Sequence, residues 1–510
     1  MMFRSKKLAA LLAIAALGLA ACTPGEQGNS AESTSGGTLT LAQVGPPGTF
    51  AAAQAGWVNS SQYMQAVYDT ILTAAPDGSI QPGLATEWSY NDDKTVITLK
   101  IRDGVKFTDG TPLDASAVAQ NLVRFRDGAG GLAANLADMA DATATDASTV
   151  TIKMKRSNPA LLTYLTRAAG LVEAPSAFNK PDVQTVPVGS GPYTLNTSET
   201  VEGTSYVFDR NPNYWKPENV HYDKLVLNVY QDQTALLNAI KGGQVNGGNS
   251  VGNQNIEQMK AAGFVAYPAE STWVGLSLLD REGAIVPALK DVRVRQAINY
   301  AFDTKALLNA VENGAGTTTS QIFMPTDAAA YVADLDSHYS YDPEKARKLL
   351  AEAGYASGLT IPMNTVTVLG TTVYTLIKQQ LADVGITVQY TDSGNNFLAD
   401  IASAKYPMTY IPLGGPTAWE ALQLTTTPDA SFNPFHTRNS ELDGYLETIR
   451  SGSETEAADA AKKANKYLVD NAWYAPWYRA TSNYVADSKT EIKLQADNAL
   501  PYLWNIKPKA

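Results

Sequence analysis

The stretch Lys94-Thr95-Val96-Ile97-Thr98-Leu99-Lys100-Ile101-Arg102-Asp103-Gly104-Val105-Lys106-Phe107-Thr108-Asp109-Gly110-Thr111-Pro112-Leu113 carries the grammar from which the fold is read. Residues 95–101 alternate with the period of a half-buried strand. Arg102-Asp103-Gly104 supplies a turn and Asp109-Gly110-Thr111-Pro112 the next, so a two-strand unit is expected, leading into a helix over about 115–125. Strand, turn and helix within some thirty residues predict mixed α/β layers.

Working outward, the same grammar recurs. In Asp342-Pro343-Glu344-Lys345-Ala346-Arg347-Lys348-Leu349-Leu350-Ala351-Glu352-Ala353-Gly354, Asp342 can cap free N–H groups and Pro343 fits the first turn. Gly354 can take the left-handed conformation that ends a helix. Ala346, Leu349, Leu350 and Ala353 form one apolar stripe. A helix over about 372–384 stops at Gly385 before a strand over 386–390, and another runs from Asp232 to about Ile240, ending at Gly242-Gly243. Globular sequence opens with an alternating strand over 38–42 and the loop Gly45-Pro46-Pro47-Gly48. No repeat of 20–50 residues is visible.

Composition sets the limits. The chain has 510 residues, enough for two to four packed units, with 44% hydrophobic and 17% charged residues. Its net charge of -11 and the lack of any basic run beyond the first ten residues argue against a nucleic-acid partner. One Cys excludes an internal disulfide and a Cys-based zinc site. That Cys follows Arg4, Lys6, Lys7 and an apolar run over 8–21, too short to span hydrocarbon and suited to a secretory signal. Leu19-Ala20-Ala21-Cys22 resembles the lipobox of bacterial lipoproteins, which implies a signal peptide over 1–21 and lipid attachment at Cys22. Residues 22–36, rich in Gly, Ser and Glu, read as a flexible linker. No later stretch approaches 18 apolar residues.

Five strings in order resemble the signature of family 5 extracellular solute-binding proteins, the binding components of peptide- and nickel-type ABC importers. They are the stretch 80–113; Val188-Gly189-Ser190-Gly191-Pro192-Tyr193; Arg210-Asn211-Pro212-Asn213-Tyr214-Trp215; Val292-Arg293-Val294-Arg295-Gln296-Ala297-Ile298-Asn299-Tyr300-Ala301-Phe302-Asp303; and the helix after Asp342. Each reads first as scaffold. Gly189, Gly191 and Pro192 suit a reversal where side chains would clash, and Tyr214-Trp215 an aromatic plug after a turn.

The resemblance implies a periplasmic-binding-protein-like type II clamp. Lobe I would comprise 37–75, 188–280 and 486–510, an inserted subdomain 76–187, and lobe II 281–485, with the hinge near 280 and 486. It further implies a monomeric binder tethered to the outer face of the cell membrane through Cys22. Hinge closure on an oligopeptide or similar solute would present it to the ABC permease subunits, with no cofactor. Non-peptide solutes (oligosaccharide, metal chelate, haem) and an importer-linked sensor are the alternatives.

Polar and aromatic residues in loops at strand ends are the candidate ligand contacts: Val44, Gly45, Trp57, Asn59, Trp273, Tyr410, Gly414, Gly415, Trp419 and Asn433. Each aromatic has a core-packing reading beside this one, and Trp273 fits an inward-facing strand residue. Peptide-binding members of the family carry an Ala-Asp-Tyr-like string in lobe II whose Asp pairs with the peptide α-ammonium. Here the string is Met408-Thr409-Tyr410-Ile411-Pro412-Leu413-Gly414-Gly415, with no acid between Asp400 and Glu420. Glu420 or Asp429 could supply the charge from a shifted position, and Gly414-Gly415 beside Trp419 could let a ligand approach the backbone and stack.

Gly248-Asn249-Ser250-Val251-Gly252 fits the nucleophile-elbow pattern of an esterase. That chemistry needs a buried strand before Ser250 and a downstream acid and His, whereas a Gly-rich loop precedes it. His221, His338 and His436 show no metal-ligand spacing. No enzyme activity and no metal site are expected.

Overall fold

The computed structural model describes residues 36–509 apart from 250, 251, 416, 497 and 499. Cys22, the signal segment and the linker lie outside the described residues, as does Ser250. Among the described residues an eleven-stranded sheet runs through the molecule, with a separate four-stranded sheet beside it.

One half of the large sheet is built on Thr38–Gln43, whose Leu39 and Leu41 are buried. It lies parallel to Lys224–Val229 on one side and to the two-residue strand Gly247–Gly248 on the other. Ser205–Arg210 and Tyr193–Leu195 extend that half antiparallel. The other half pairs Leu359–Thr365 parallel to Ile386–Asp392 and adds Met408–Tyr410.

Two long antiparallel strands, Val265–Leu278 and Tyr474–Ala486, belong to both halves. At one end of this ribbon Val485 and Ala486 pair with Gly247–Gly248; at the other, Leu276 to Leu278 pair with Met408–Tyr410. Between the ends its register breaks twice, between Glu270 and Thr272 and between Val274 and Gly275. Adjacent strands rotate by about 20–25°, so eleven of them accumulate more twist than one face can pack, and bulges let the ribbon bend. Each half accordingly has its own core: Leu39, Leu41, Phe208, Leu225 and Leu227 in the first, Val274, Leu276, Ile361, Met363, Met408 and Trp477 in the second.

The helices start and stop where their caps dictate. Asp342 accepts from the Lys345 amide at 2.9 Å and opens Pro343–Glu352, after which Gly354 sits at φ +92°. Asp232 caps Gln233–Lys241, and Gly385, at φ +95°, separates Thr371–Ala382 from its strand. In the smaller sheet, Val96–Ile101 pairs with Ala85–Tyr90 and Thr149–Met154, with Met139–Asp146 beyond. The expected two-strand unit is therefore different. The partners of Val96–Ile101 come from before and after it, while 105–113 closes on itself. The Thr111 amide and hydroxyl donate to Asp109 Oδ1 at 2.9 and 2.6 Å, and Phe107 N donates to Thr111 O. Burial of Val105 and Phe107 holds that turn in place.

Two distant strings of sequence converge on Asp69, and a third stacks on one of them. Ser190 Oγ and Trp215 Nε1 donate to Oδ2 at 2.7 and 2.9 Å, and the Tyr214 hydroxyl to Oδ1 at 2.9 Å. The Arg102 guanidinium stacks over Trp215 at 4.4 Å. Burial pushes the Asp69 carboxyl above its ordinary value although all three donors and Lys216 pull it down. Beside it, a Cβ on Gly189 would stand 2.0 Å from Val67 O, and one on Gly191 2.4 Å from the Val67 carbonyl carbon. The glycines are thus demanded by backbone contact, as the sequence indicated.

Candidate functional site at the ribbon

A cleft of about 570 Å³ opens beside the first register break of the ribbon, at Ser271 and Thr272. Its floor is ribbon backbone and side chain: Ser271 and Thr272 on one strand, Thr481, Ser482 and Asn483 on the other. One wall comes from the first half of the sheet and the segments joined to it: Val58, Asn59, Asn249, Gly252, Asn253, Gln254, Ala496 and Asn498. The opposite wall is Glu312, Met324, Thr326, Gly414 and Gly415. A second recess of about 620 Å³ shares Asn253, Gln254, Thr481 and Asn483 with it. Both volumes fall in the range of small-molecule sites.

Side-chain amides dominate the chemistry of the first recess. Asn253 is the knot between the walls: its Nδ2 donates to Glu312 Oε2 at 3.1 Å and to Thr481 O at 3.2 Å, and its Oδ1 accepts from Asn483 Nδ2 at 2.6 Å. Asn498 Nδ2 donates to Ser61 Oγ at 3.2 Å. Asn249 is 9% exposed, and its Oδ1 is buried with no hydrogen-bond donor among the described residues. Glu312 ends the helix Thr304–Glu312, and burial holds its carboxyl above the ordinary value against the pull of Asn253. No aromatic ring, Lys or Arg lines this recess among the described residues.

Of the ten residues read from sequence as candidate contacts, Asn59, Gly414 and Gly415 line the cleft. A Cβ on Gly414 would lie 2.2 Å from Ser271 O, and one on Gly415 2.6 Å from the Ala421 amide, so protein packing alone requires both glycines. The other seven stand elsewhere. Trp273 is 1% exposed, bridged to Leu413 and set edge-on to Tyr474 at 5.6 Å, which matches its inward-facing strand reading. Tyr410 stacks on Trp477 at 5.6 Å, and buried Trp419 lies under the Arg450 guanidinium. Trp57 is buried, Val44 and Gly45 are half-buried, and Gly45 O accepts from Tyr63. Asn433 is a buried clip, donating to the carbonyls of Thr426, Thr427 and Thr437 and accepting from Arg281 Nη1 at 3.1 Å.

The two acids considered as shifted anchors are placed outside the cleft as well. Glu420 pairs with Arg167 at 2.7 Å, joining the segment after the small sheet to helix Ala418–Thr425, and Asp429 is exposed. Glu312 and the amides Asn249, Asn253, Asn483 and Asn498 were missed from sequence. They come from four segments far apart in the chain, and no local pattern marks them as ligand contacts.

The nucleophile-elbow string contributes Gly248 to a two-residue strand in mid-sheet, where a Gly-rich loop was expected, and Asn249 and Gly252 to the cleft wall. No group of three or more His, Cys, Asp or Glu fit for a metal ion occurs among the described residues, and no described helix is long and apolar enough to cross a membrane.

Comparison with known proteins places this architecture. The profile described as bacterial extracellular solute-binding proteins, family 5 Middle, matches residues 79–493. The glutathione-binding protein GsiB of Escherichia coli (strain K12) is 27% identical over 422 residues, covering 77% of this chain and 79% of that protein. The solved structure of NikA from Brucella suis in complex with Fe(III)-EDTA superposes with a TM-score of 0.80 at 23% identity, over 93% of this chain and 100% of that one. The ABC transporter-associated periplasmic binding protein DppA from Helicobacter pylori, in complex with the peptide STSA, superposes at 0.76 and 18% identity, over 93% and 99% of the two chains. These likenesses bear out the expected α/β fold of the type II periplasmic-binding kind. With the profile spanning most of its length, the chain belongs to the bacterial extracellular solute-binding proteins, family 5, and is a binding protein rather than an enzyme.

Proposed function

We propose that the protein is the lipid-anchored, substrate-binding component of an ABC importer, capturing an oligopeptide or a similar organic solute in the cleft at the ribbon. The observation that carries this reading is the cleft itself, walled by both halves of the sheet and floored by the two strands they share. A solute seated there touches both walls at once, so it binds the closed arrangement more tightly and shifts the population toward it. We take the lobes as 37–75 with 188–280 and 486–510, and 281–485, with 76–187 as the inserted subdomain and the hinge near 280 and 486. The closed form is the one the permease would recognise, and the anchor would be a lipid on Cys22, holding a monomer at the outer face of the cell membrane. The recess offers side-chain amide donors and acceptors and no aromatic ring, Lys or Arg among the described residues, a lining able to hydrogen-bond the polar groups of a peptide or similar organic solute. A relative named for binding glutathione supports the same class.

Thermal-shift screening against peptide, oligosaccharide and metal-chelate libraries tests the reading. A solute at 100 times its Kd adds about 2.7 kcal/mol to stability. A shift confined to chelates or sugars would replace the peptide assignment. Radiolabelled palmitate incorporated by wild type and lost in Cys22→Ser tests the anchor; equal labelling of both would overturn it.

A further inference from the structure

Four side-chain contacts cross from the segment 76–187 to the segment 281–485, away from the ribbon. Lys94, in the turn before Val96–Ile101, donates from Nζ to Gly452 O at 2.5 Å, and Ser157, after Thr149–Met154, donates from Oγ to Arg450 O at 2.9 Å. The Tyr164 hydroxyl donates to Gln423 Oε1 at 3.0 Å, and Arg167 Nη1 to Glu420 Oε1 at 2.7 Å. The cleft lining includes none of these eight residues. Their partners are well placed to receive them. Arg450 and Gly452 stand at the end of helix Ser440–Ser451, whose last carbonyls the helix itself leaves free and whose dipole favours a cation such as Lys94. Glu420 and Gln423 lie three residues apart on one face of helix Ala418–Thr425. Ser157 and Tyr164 are buried, and Leu161 and Leu165 beside them belong to the same contiguous core as Trp419, Leu422 and Leu446 of those two helices.

The first of these helices also carries a wall of the cleft. Glu420 Oε2 accepts from Thr417 Oγ1 at 2.9 Å, and the Ala421 amide is the group that a Cβ on Gly415 would strike. Seating the helix on 76–187 and setting Gly414 and Gly415 in the cleft are therefore one movement. A rotation of the lobes about the ribbon breaks the four contacts together, since a donor drawn a few ångströms from its acceptor no longer bonds it. Each neutral contact exchanged for water shifts the closed-to-open ratio by about 2- to 10-fold.

Resting on the two-lobed binding function proposed above, we infer that the inserted subdomain is a clasp: Lys94, Ser157, Tyr164 and Arg167 hold the opposite lobe at the edge away from the ribbon and keep a measurable share of molecules closed before any solute arrives. Solute then adds its own contacts to a clamp already biased toward closure.

The test uses the full chain with spin labels at Val201→Cys and Val368→Cys in a Cys22→Ser background, without added solute. Pulsed electron–electron resonance on the otherwise unchanged protein should show a component at the Val201–Val368 distance of this structure. In the combined variant Lys94→Met, Ser157→Ala and Tyr164→Phe, the ratio of that component to the longer ones should fall at least about tenfold. Tyr164→Phe alone, which keeps its ring in the core, should lower it about 2- to 10-fold, so the reasoning stays testable if the combined variant folds poorly. Lys155→Met, which loses a bond to Ala137 O inside the subdomain, should leave it unchanged. Absence of the short component before substitution, an unaltered ratio in both clasp variants, or an equal fall in Lys155→Met overturns the clasp. The readout involves no solute, so each of those results leaves the binding function standing; a thermal-shift screen without a hit removes that function and leaves the measured distances to judge the clasp.

Discussion

Replacing Tyr214 by Phe removes one of the three donors to Asp69 and little else, because the ring keeps its place against Trp215 at 5.8 Å. A hydrogen bond to a charged group is worth about 1.5–3 kcal/mol, and one to a neutral group about 0.5–1.5 kcal/mol. The loss should therefore depend on pH. Asp69 has a folded-state pKa raised mainly by burial, so the stability it contributes is full below the unfolded value near 3.9 and is lost as pH rises through the folded value. Taking away the Tyr214 donor raises the folded value further and deepens that loss on the alkaline side. Urea unfolding should show Tyr214→Phe destabilised by about 1.5–3 kcal/mol at pH 7, and by about 1 kcal/mol less once the pH is below the folded value. That difference corresponds to roughly one unit of further rise in the Asp69 pKa, which a carbon-13 NMR titration reads directly. Asp69→Ala, orphaning all three donors, should cost about 3–6 kcal/mol. An equal loss at every pH, or none at pH 7, would refute the account of Asp69 as a desolvated carboxylate held by its donors.

Other consequences can be measured on the same protein. Gly189→Ala places a methyl 2.0 Å from Val67 O and should destabilise by at least about 3 kcal/mol or prevent folding, whereas Gly104→Ala, with open space around its Cβ and only the strain of φ +78°, should cost about 1–2 kcal/mol. For the ion pair Arg167–Glu420, whose side chains are 14% and 11% exposed, Arg167→Met should cost about 1–3 kcal/mol, and the double variant with Glu420→Gln less than the sum of the singles; strict additivity would mean no coupling. Asp327 is pushed up to about 6, chiefly by burial and also by Glu420, with Oδ2 buried and unpartnered. Its stability contribution is thus lost as pH rises through about 6. Asp327→Asn should stabilise the protein by about 1–2 kcal/mol above pH 7 and be neutral near pH 4. A uniform effect across that range would assign Asp327 a different environment.

Much of the fold was legible because its signals are local. Asp232 and Asp342 cap helices, Gly354 and Gly385 end them with positive φ, and the alternation from Val96 to Ile101 is a strand with Ile97, Leu99 and Ile101 buried. The partners of that strand were not legible, since a period of two tells which face is buried and not what lies alongside. The cleft was less legible still. Tyr410, Trp273 and Trp419 have the size and polar tips of ligand contacts, yet the same properties let them fill the packing beside Trp477, Tyr474 and Arg450. Nothing around Glu312 distinguishes it from any acid at the end of an amphipathic helix; its isolation in a cleft is a tertiary fact. Asn253 likewise gains its role only because Thr481 and Asn483, more than two hundred residues away, are brought beside it.

The central claim is that solute in the cleft draws the two halves of the sheet together about the ribbon. Spin labels at Val201→Cys and Val368→Cys, exposed positions in opposite halves, report it most directly in a Cys22→Ser background, where no other thiol remains. Pulsed electron–electron resonance should show a broad distance distribution without solute. With a saturating solute identified in the thermal-shift screen, it should shift to a shorter and narrower one. An identical distribution with and without bound solute would contradict closure about the ribbon.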